Sequence, residues 1–305
     1  MATTDESCVV YLDFDGTIAD VDGRIPERTR RAIREARDRG HYVFLNTGRS
    51  PREIPSDVKD IGFDGYVTAG GAFAEVGDKV VHRETIPPAQ VEAIIDALEK
   101  HDLAYTLQYF DGIYASPGLV ELFSEVFNDR GFPVEPEDFV SERSTESVAK
   151  AVFASRDLQA YDKVCEELGP DFMVVTGTMP YMGTGSGEVS VDTFTKAAPF
   201  AAIAEELGVP LENTIAIGDA SNDVAMLQRA GIGVAMGHAS DEVIAVADEV
   251  TSSLISDGVH EVFLRHGLIG ADGEWPAGPV GSWPDAMSRC GVATLYRGVM
   301  SELDT

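Results

Sequence analysis

The sequence predicts an α/β fold, a doubly wound parallel sheet into which a second, mixed α/β domain is inserted. Three observations carry this expectation. The N-terminal part alternates short apolar runs with amphipathic stretches, the same rhythm returns after Ala197, and between them hairpin-like alternation is mixed with helices. Strand, helix, strand at this spacing is a parallel βαβ unit, whereas mixed hairpins and helices mark a separate layered domain.

In order along the chain, Cys8 to Leu12 has the length and β-branched content of a buried strand. It runs into Asp13-Phe14-Asp15-Gly16. Side chains alternate on a strand, so Asp13 and Asp15 are expected to share one side at its C-terminal mouth. Close carboxylates repel, an arrangement that makes sense if a cation sits between them or if the two divide into nucleophile and acid. Alone, the motif is a common loop start. A calcium loop fails because Ile18 stands where its sixth-place Gly should be and Arg24 where its bidentate Glu should be.

Gly16 to Gly23 reads as a loop, Pro26 to Arg39 as a helix with Gly40 beyond it, and His41 to Leu45 as a second buried strand stopping at Asn46-Thr47-Gly48-Arg49. A helix is expected from Pro51 to Lys59, a third strand at Gly65 to Thr68, a glycine turn at Gly70-Gly71 and a hairpin from Ala72 to Val81.

The character changes near Glu84. Helices are expected at Pro87 to Lys100, Leu119 to Asn128 and Leu158 to Leu168. Strands are expected at Tyr105 to Tyr114 (a pair about Asp111-Gly112), Ala149 to Ala154 and Asp171 to Thr176. Residues 84–188 are thus expected to form the inserted domain, with 1–83 and 189–269 as the core. From Ala197 come helix Ala198 to Leu207, strand Thr214 to Ile217, the loop Gly218 to Asp223, helix Val224 to Arg229, strand Ile232 to Ala235, helix Asp241 to Ala247 and strand Glu249 to Thr251. Residues 270–305 form an extension, rich in Gly and Pro at first, with Trp275 and Trp283 and short helices expected near Trp283 to Met287 and Leu295 to Leu303.

Composition excludes several classes of function. A net charge of -29 and a pI near 4.3, with only six lysines among 23 basic residues, leave no basic stripe for nucleic acid. An anionic substrate stays compatible, because exposed charges are screened beyond roughly 8 Å at physiological salt and local cations decide. Cys8, Cys165 and Cys290 show neither metal spacing nor a disulfide framework, so a reducing cytoplasm is the expected location. MATTDESC lacks the features of a signal peptide, and no apolar run approaches a membrane span, so no membrane partner is expected.

Four features fall at the ends of the expected core strands: Asp13 with Asp15, Thr47, Lys196, and Asp219 with Asp223. Ligands of open α/β sheets bind outside the carboxyl ends of the strands, so these groups can meet. Singly, each has a plain reading as a strand-ending turn, a solvated lysine or a helix cap.

In this order, DFDGTIAD at Asp13 to Asp20, NTGR at Asn46 to Arg49, Lys196, and GDASNDVAML at Gly218 to Leu227 make the chain resemble the haloacid dehalogenase-like hydrolases. Within that family it is most similar to the Cof-like phosphatases with a C2-type cap. AGIGVAMGHASDEV at Ala230 to Val243 and Asp257 to Val259 are similar too, and the resemblance covers about residues 8 to 265.

The resemblance implies a Rossmann-like core, the insertion as a substrate-specificity cap, and Mg²⁺-dependent hydrolysis of a small phosphorylated metabolite, in the first place a sugar phosphate. It assigns Asp13 as the nucleophile that forms an aspartyl-phosphate and Asp15 as acid/base. Thr47, Gly48, Lys196 and Asn222 would hold phosphate. Asp13, Asp15 (through its carbonyl), Asp219 and Asp223 would hold the metal. Arg49 and His238 stand as candidate substrate contacts. The chain departs from the family at Gly70-Gly71, where Asn-Gly is frequent, at Met236-Gly237-His238, where Asn is frequent, and in Val191 to Thr195. These departures bear on substrate more than on chemistry. The glycine-rich Gly183 to Gly187 is expected as a specificity loop. It lacks the spacing and the strand-to-helix context of a dinucleotide fingerprint. Two other activities fit the same motifs, a phosphomannomutase-like phosphosugar mutase and a non-catalytic metabolite-binding regulator.

Overall fold

The computed structural model describes residues 7–21, 23–119, 122, 136–176 and 183–270. The expected helix Leu119 to Asn128 falls almost wholly outside the described residues, and the helices expected near Trp283 and Leu295 fall entirely outside them. Contacts divide the chain into two compact units. The described residues of Met1–Gly48, Ser56–His82 and Thr195–Thr305 form one, and those of Arg49–Pro55 and Arg83–Phe194 the other.

The first unit holds an eight-stranded sheet in the order β14-β13-β12-β1-β2-β3-β4-β5. Its strands are β1 (Val9–Leu12), β2 (Tyr42–Asn46), β3 (Gly65–Thr68), β4 (Phe73–Val76), β5 (Lys79–Arg83), β12 (Thr214–Gly218), β13 (Ile232–Ala235) and β14 (Glu249–Val250). The strands from β14 to β3 are parallel, and β4 returns antiparallel to β3. β1 is central and fully buried, as a strand covered on both faces must be. Its alternation feeds two layers. Tyr11 stacks on Phe200 with ring centroids 3.7 Å apart and meets Phe44 at 5.6 Å, in a core shared with Val9, Ile203 and Met226. Val10 and Leu12 point the other way. The strand order reverses at β1, since β2 lies on one side and β12 on the other. The carboxyl ends of β1 and β12 therefore bound the crevice where doubly wound sheets bind ligands.

The amphipathic helix Glu27–Asp38 buries Ala32, Ile33 and Ala36 and packs on the helix Gly258–Arg265. One expected element is broken in two. The stretch from Pro51 to Lys59 forms a 3-10 turn at Pro51–Glu53 and a separate short helix at Ser56–Lys59. Pro55 is the reason: it has no N–H for the ladder and drives Ile54 into the extended conformation.

The second unit is a six-stranded sheet, β10-β11-β9-β6-β7-β8. It comprises β6 (Ala104–Tyr109), β7 (Ile113–Ala115), β8 (Phe139–Val140), β9 (Val148–Ala154), β10 (Met173–Thr176) and β11 (Ser186–Ser190). The helices Pro88–Lys100 and Ala160–Leu168 pack together beside it. Arg52 pairs with Asp138 at 3.3 Å, and Gln108 Nε2 donates to Glu53 Oε1 at 3.0 Å.

β11 corrects the reading of Gly183 to Gly187 as a loop. Only Gly183–Gly185 is a turn, and Ser186 and Gly187 are buried in an interior strand. Glycine suits that strand because a Cβ on Gly187 would lie 2.6 Å from the Phe153 ring, so the bare backbone makes room for the aromatic side chain. No helix among the described residues is long and apolar enough to cross a membrane.

Candidate active site

Parallel register sets the stage for the site. Leu12 is level with Leu45 on one side and with Ile217 on the other, and Gly218 is level with Ala235. The strand ends at Asp13, Asn46 and Gly218 therefore form one rim. β1 stops at Leu12, held past its end by Asp13 N–H donating to the Ile217 carbonyl at 3.0 Å, and the chain then turns. Strand alternation thus does not extend through Asp15. Asp13 is 4% exposed, while Asp15 is exposed and stands outside the carboxylate cluster described next. The strand that the expectation of a shared face assumed ends before Asp15.

Lys196 is the hub of the rim. Its Nζ lies 2.5 Å from Asp13 Oδ1, 2.5 Å from Asp223 Oδ1 and 3.5 Å from Asn222 Oδ1, and the residue is 2% exposed. A buried ammonium would ordinarily be neutralised by desolvation. Burial does oppose its charge here, but Asp13 and Asp223 outweigh it and raise its pKa. Burial pushes the Asp13 carboxyl well above the usual carboxylate range, opposed by Lys196. Asp219 is also raised by burial, opposed by the hydrogen bond it accepts from Thr17.

The acidic loop is fixed by its own backbone. Asp223 Oδ2 accepts from Asp219 N–H at 2.9 Å and from Ala220 N–H at 3.0 Å, folding the chain so that the Asp219 side chain faces Asp13. Gly218 permits this closeness, since a Cβ there would lie 2.5 Å from the Asp223 side chain. Asp13, Asp219 and Asp223 each offer an oxygen, all within 4.8 Å of one another.

Thr47 is buried one residue past β2, its N–H donating to Val67 O at 2.8 Å, with Gly48 following it. Arg49 belongs to the second unit. His238 Nε2 is 3.8 Å from Asp219 Oδ2, beyond hydrogen-bonding reach, and the ring is 40% exposed.

The whole of this rim lies inside a match to the family model described as haloacid dehalogenase-like hydrolase, which covers residues 10–263. The chain belongs to the haloacid dehalogenase-like hydrolases. Among similar proteins, the 5-amino-6-(5-phospho-D-ribitylamino)uracil phosphatase YcsE of Bacillus subtilis is 29% identical over 86% of this chain and 96% of its own length. A phosphoglycolate phosphatase of Methanopyrus kandleri is 27% identical over 84% and 95%. Among solved structures, the HAD subclass IIB sugar phosphatase BT4131 superposes with a TM-score of 0.70 at 30% identity, covering 86% of this chain and all of that one.

The donor set of this hydrolase suits a hard divalent cation. Among the described residues it consists of oxygens only, and three clustered carboxylates share the Lys196 ammonium, so one further positive charge would relieve both their repulsion and their desolvation. Two contributors lie outside the residues singled out from sequence. Thr17 is fully buried and its Oγ1 donates to Asp219 Oδ1 at 2.9 Å. Gly16, at φ +94°, has no room for a side chain, since a Cβ would fall 2.4 Å from Asp219 Oδ2. The signal for both is their place directly after Asp15 in D-x-D-G-T. A turn reading of that glycine and threonine hides a contact made across 202 residues.

Proposed function

We propose that this hydrolase is a Mg²⁺-dependent phosphatase that removes phosphate from a small phosphorylated metabolite, in the first place a sugar phosphate, through an aspartyl-phosphate on Asp13. The observation that carries the reading is the Lys196 ammonium held between Asp13 and Asp223 beside Asp219. The phosphatase class follows from the family and its named relatives, and the sugar phosphatase neighbour supports the substrate class.

In this reading the carboxylates of Asp13, Asp219 and Asp223 and the main-chain carbonyl of Asp15 hold Mg²⁺. When bound, the ion supplies positive charge that offsets the repulsion between a phosphate dianion and the carboxylates. Lys196, Thr47, Gly48 and Asn222 orient the phosphoryl oxygens. An Asp13 oxygen bonds to phosphorus as the ester P–O bond breaks, and the leaving oxygen takes its proton from Asp15. In the second half Asp15 accepts a proton from water, whose oxygen displaces Asp13 and frees inorganic phosphate. The second unit acts as the specificity cap, with Arg49 and His238 as substrate contacts.

A panel of phosphorylated metabolites assayed with Mg²⁺ tests the proposal. Phosphate release from sugar phosphates, absent in Asp13→Asn, is the expected result. Isomerised sugar phosphate without phosphate release would favour a mutase, and ligand binding without turnover a regulator.

A further inference from the structure

Asn46, the last residue of β2, is fully buried and reaches across to the loop that carries the hub lysine. Its Nδ2 donates to the main-chain carbonyl of Lys196 at 2.9 Å and faces Met226 Sδ at 3.4 Å. Both neighbours are acceptors, which fixes the amide's orientation, because only the NH₂ end can serve them. The other end, Oδ1, is buried with no hydrogen-bond partner among the described residues. A buried amide with one end unsatisfied is a poor choice for stability alone, since an apolar side chain of the same size would fill the space without desolvating an orphan oxygen.

A second tie acts on the same segment. Gly71, at φ +106°, comes so close to Thr195 that a Cβ on it would lie 1.9 Å from the Thr195 carbonyl oxygen. One residue earlier, Gly70 N–H donates to Thr47 O at 3.2 Å. The glycine turn thus holds Thr47 on one side and lies flat against Thr195 on the other, while Asn46 anchors Lys196.

We propose that Asn46, with the Gly70-Gly71 turn as its brace, is a positioning residue that couples Thr47 and Lys196 into one rigid phosphoryl clamp. The inference rests on the reading of Thr47 and Lys196 as phosphoryl-holding groups. Asn46 touches no substrate. It acts by fixing the backbone from which the Lys196 side chain reaches Asp13, and a displacement of about 1 Å in such a group can cost about a hundredfold in rate.

The test is Asn46→Leu, which keeps the branched shape, with somewhat larger volume, and removes both the donor and the orphan oxygen. The expected result is a melting temperature close to that of the wild type, with kcat lowered about tenfold to a hundredfold. KM should change less than kcat, and the Mg²⁺ activation constant should not change. Orthovanadate, as a probe of the phosphoryl site, should bind more weakly by a similar factor. In a Lys196→Met background Asn46→Leu should cause no further loss of vanadate affinity, because its effect runs through the lysine. If Asn46→Leu does not fold, Asn46→Ala removes the same donor and carries the same kinetic and vanadate-binding expectations, with a lower melting temperature from the cavity it leaves. Wild-type kcat, or a loss of activity that merely tracks a loss of stability, overturns the proposal. Full activity in Lys196→Met would instead overturn the functional reading beneath it, so the two failures are distinguishable.

Discussion

Lys196 Nζ sits 2.5 Å from Asp13 Oδ1 although the two residues are 183 positions apart, and both are almost wholly shielded from solvent. The pair ties the first unit together at the rim of its sheet, so the lysine has a structural part besides the chemical one proposed for it.

Removing that lysine leaves buried carboxylates without their countercharge. Breaking a buried pair by deleting one partner costs about 3–5 kcal/mol, so Lys196→Met should unfold at markedly lower temperature in metal-free buffer. The pH dependence has a definite sign. Asp13 is raised above its unfolded value, so its contribution to stability is present at low pH and is lost as pH rises through the folded pKa. Without Lys196 to oppose it the shift grows. The deficit of the variant relative to wild type should therefore widen from acidic to neutral pH in denaturant melts, and a deficit that narrows would contradict the account.

A divalent cation that binds only the folded protein should stabilise it, by about 2.7 kcal/mol at a hundredfold excess over Kd. Mg²⁺ titration is expected to raise the melting temperature and EDTA to abolish turnover reversibly. Asp219→Ala should blunt both responses, and equal Mg²⁺ stabilisation in that variant would remove Asp219 from the metal site.

Thr17→Val tests the contact that supports Asp219 from beneath. Hydrogen bonds to charged groups contribute about 1.5–3 kcal/mol, so the Mg²⁺ activation constant should rise roughly tenfold or more while the fold is retained. Gly16→Ala should be worse, because its side chain would need the space of the Asp219 carboxylate at a backbone φ that L-residues avoid.

What the sequence shows directly is what depends on near neighbours. The run Val9 to Leu12 announces a central strand because every position is apolar, and the glycine after Pro26–Arg39 marks a helix end. The single helix expected from Pro51 to Lys59 passes over Pro55, where the structure breaks it. β11 stayed hidden because Gly187 is a packing choice dictated by Phe153, 34 positions away on another strand. At the site, local alternation assumed a strand through Asp15, but β1 ends at Leu12, and of the two aspartates Asp13 is the one that belongs to the carboxylate cluster. Thr17 and Asn46 each hydrogen-bond to partners far away in the chain, which no nearby spacing encodes.

The most direct measurement is to quench the enzyme with acid during turnover of a substrate carrying a radiolabelled phosphoryl group, then digest it and identify the labelled peptide. The account predicts label on the peptide containing Asp13, absent from Asp13→Asn. Turnover at full rate with no label on that peptide, or with label elsewhere in the chain, would contradict it.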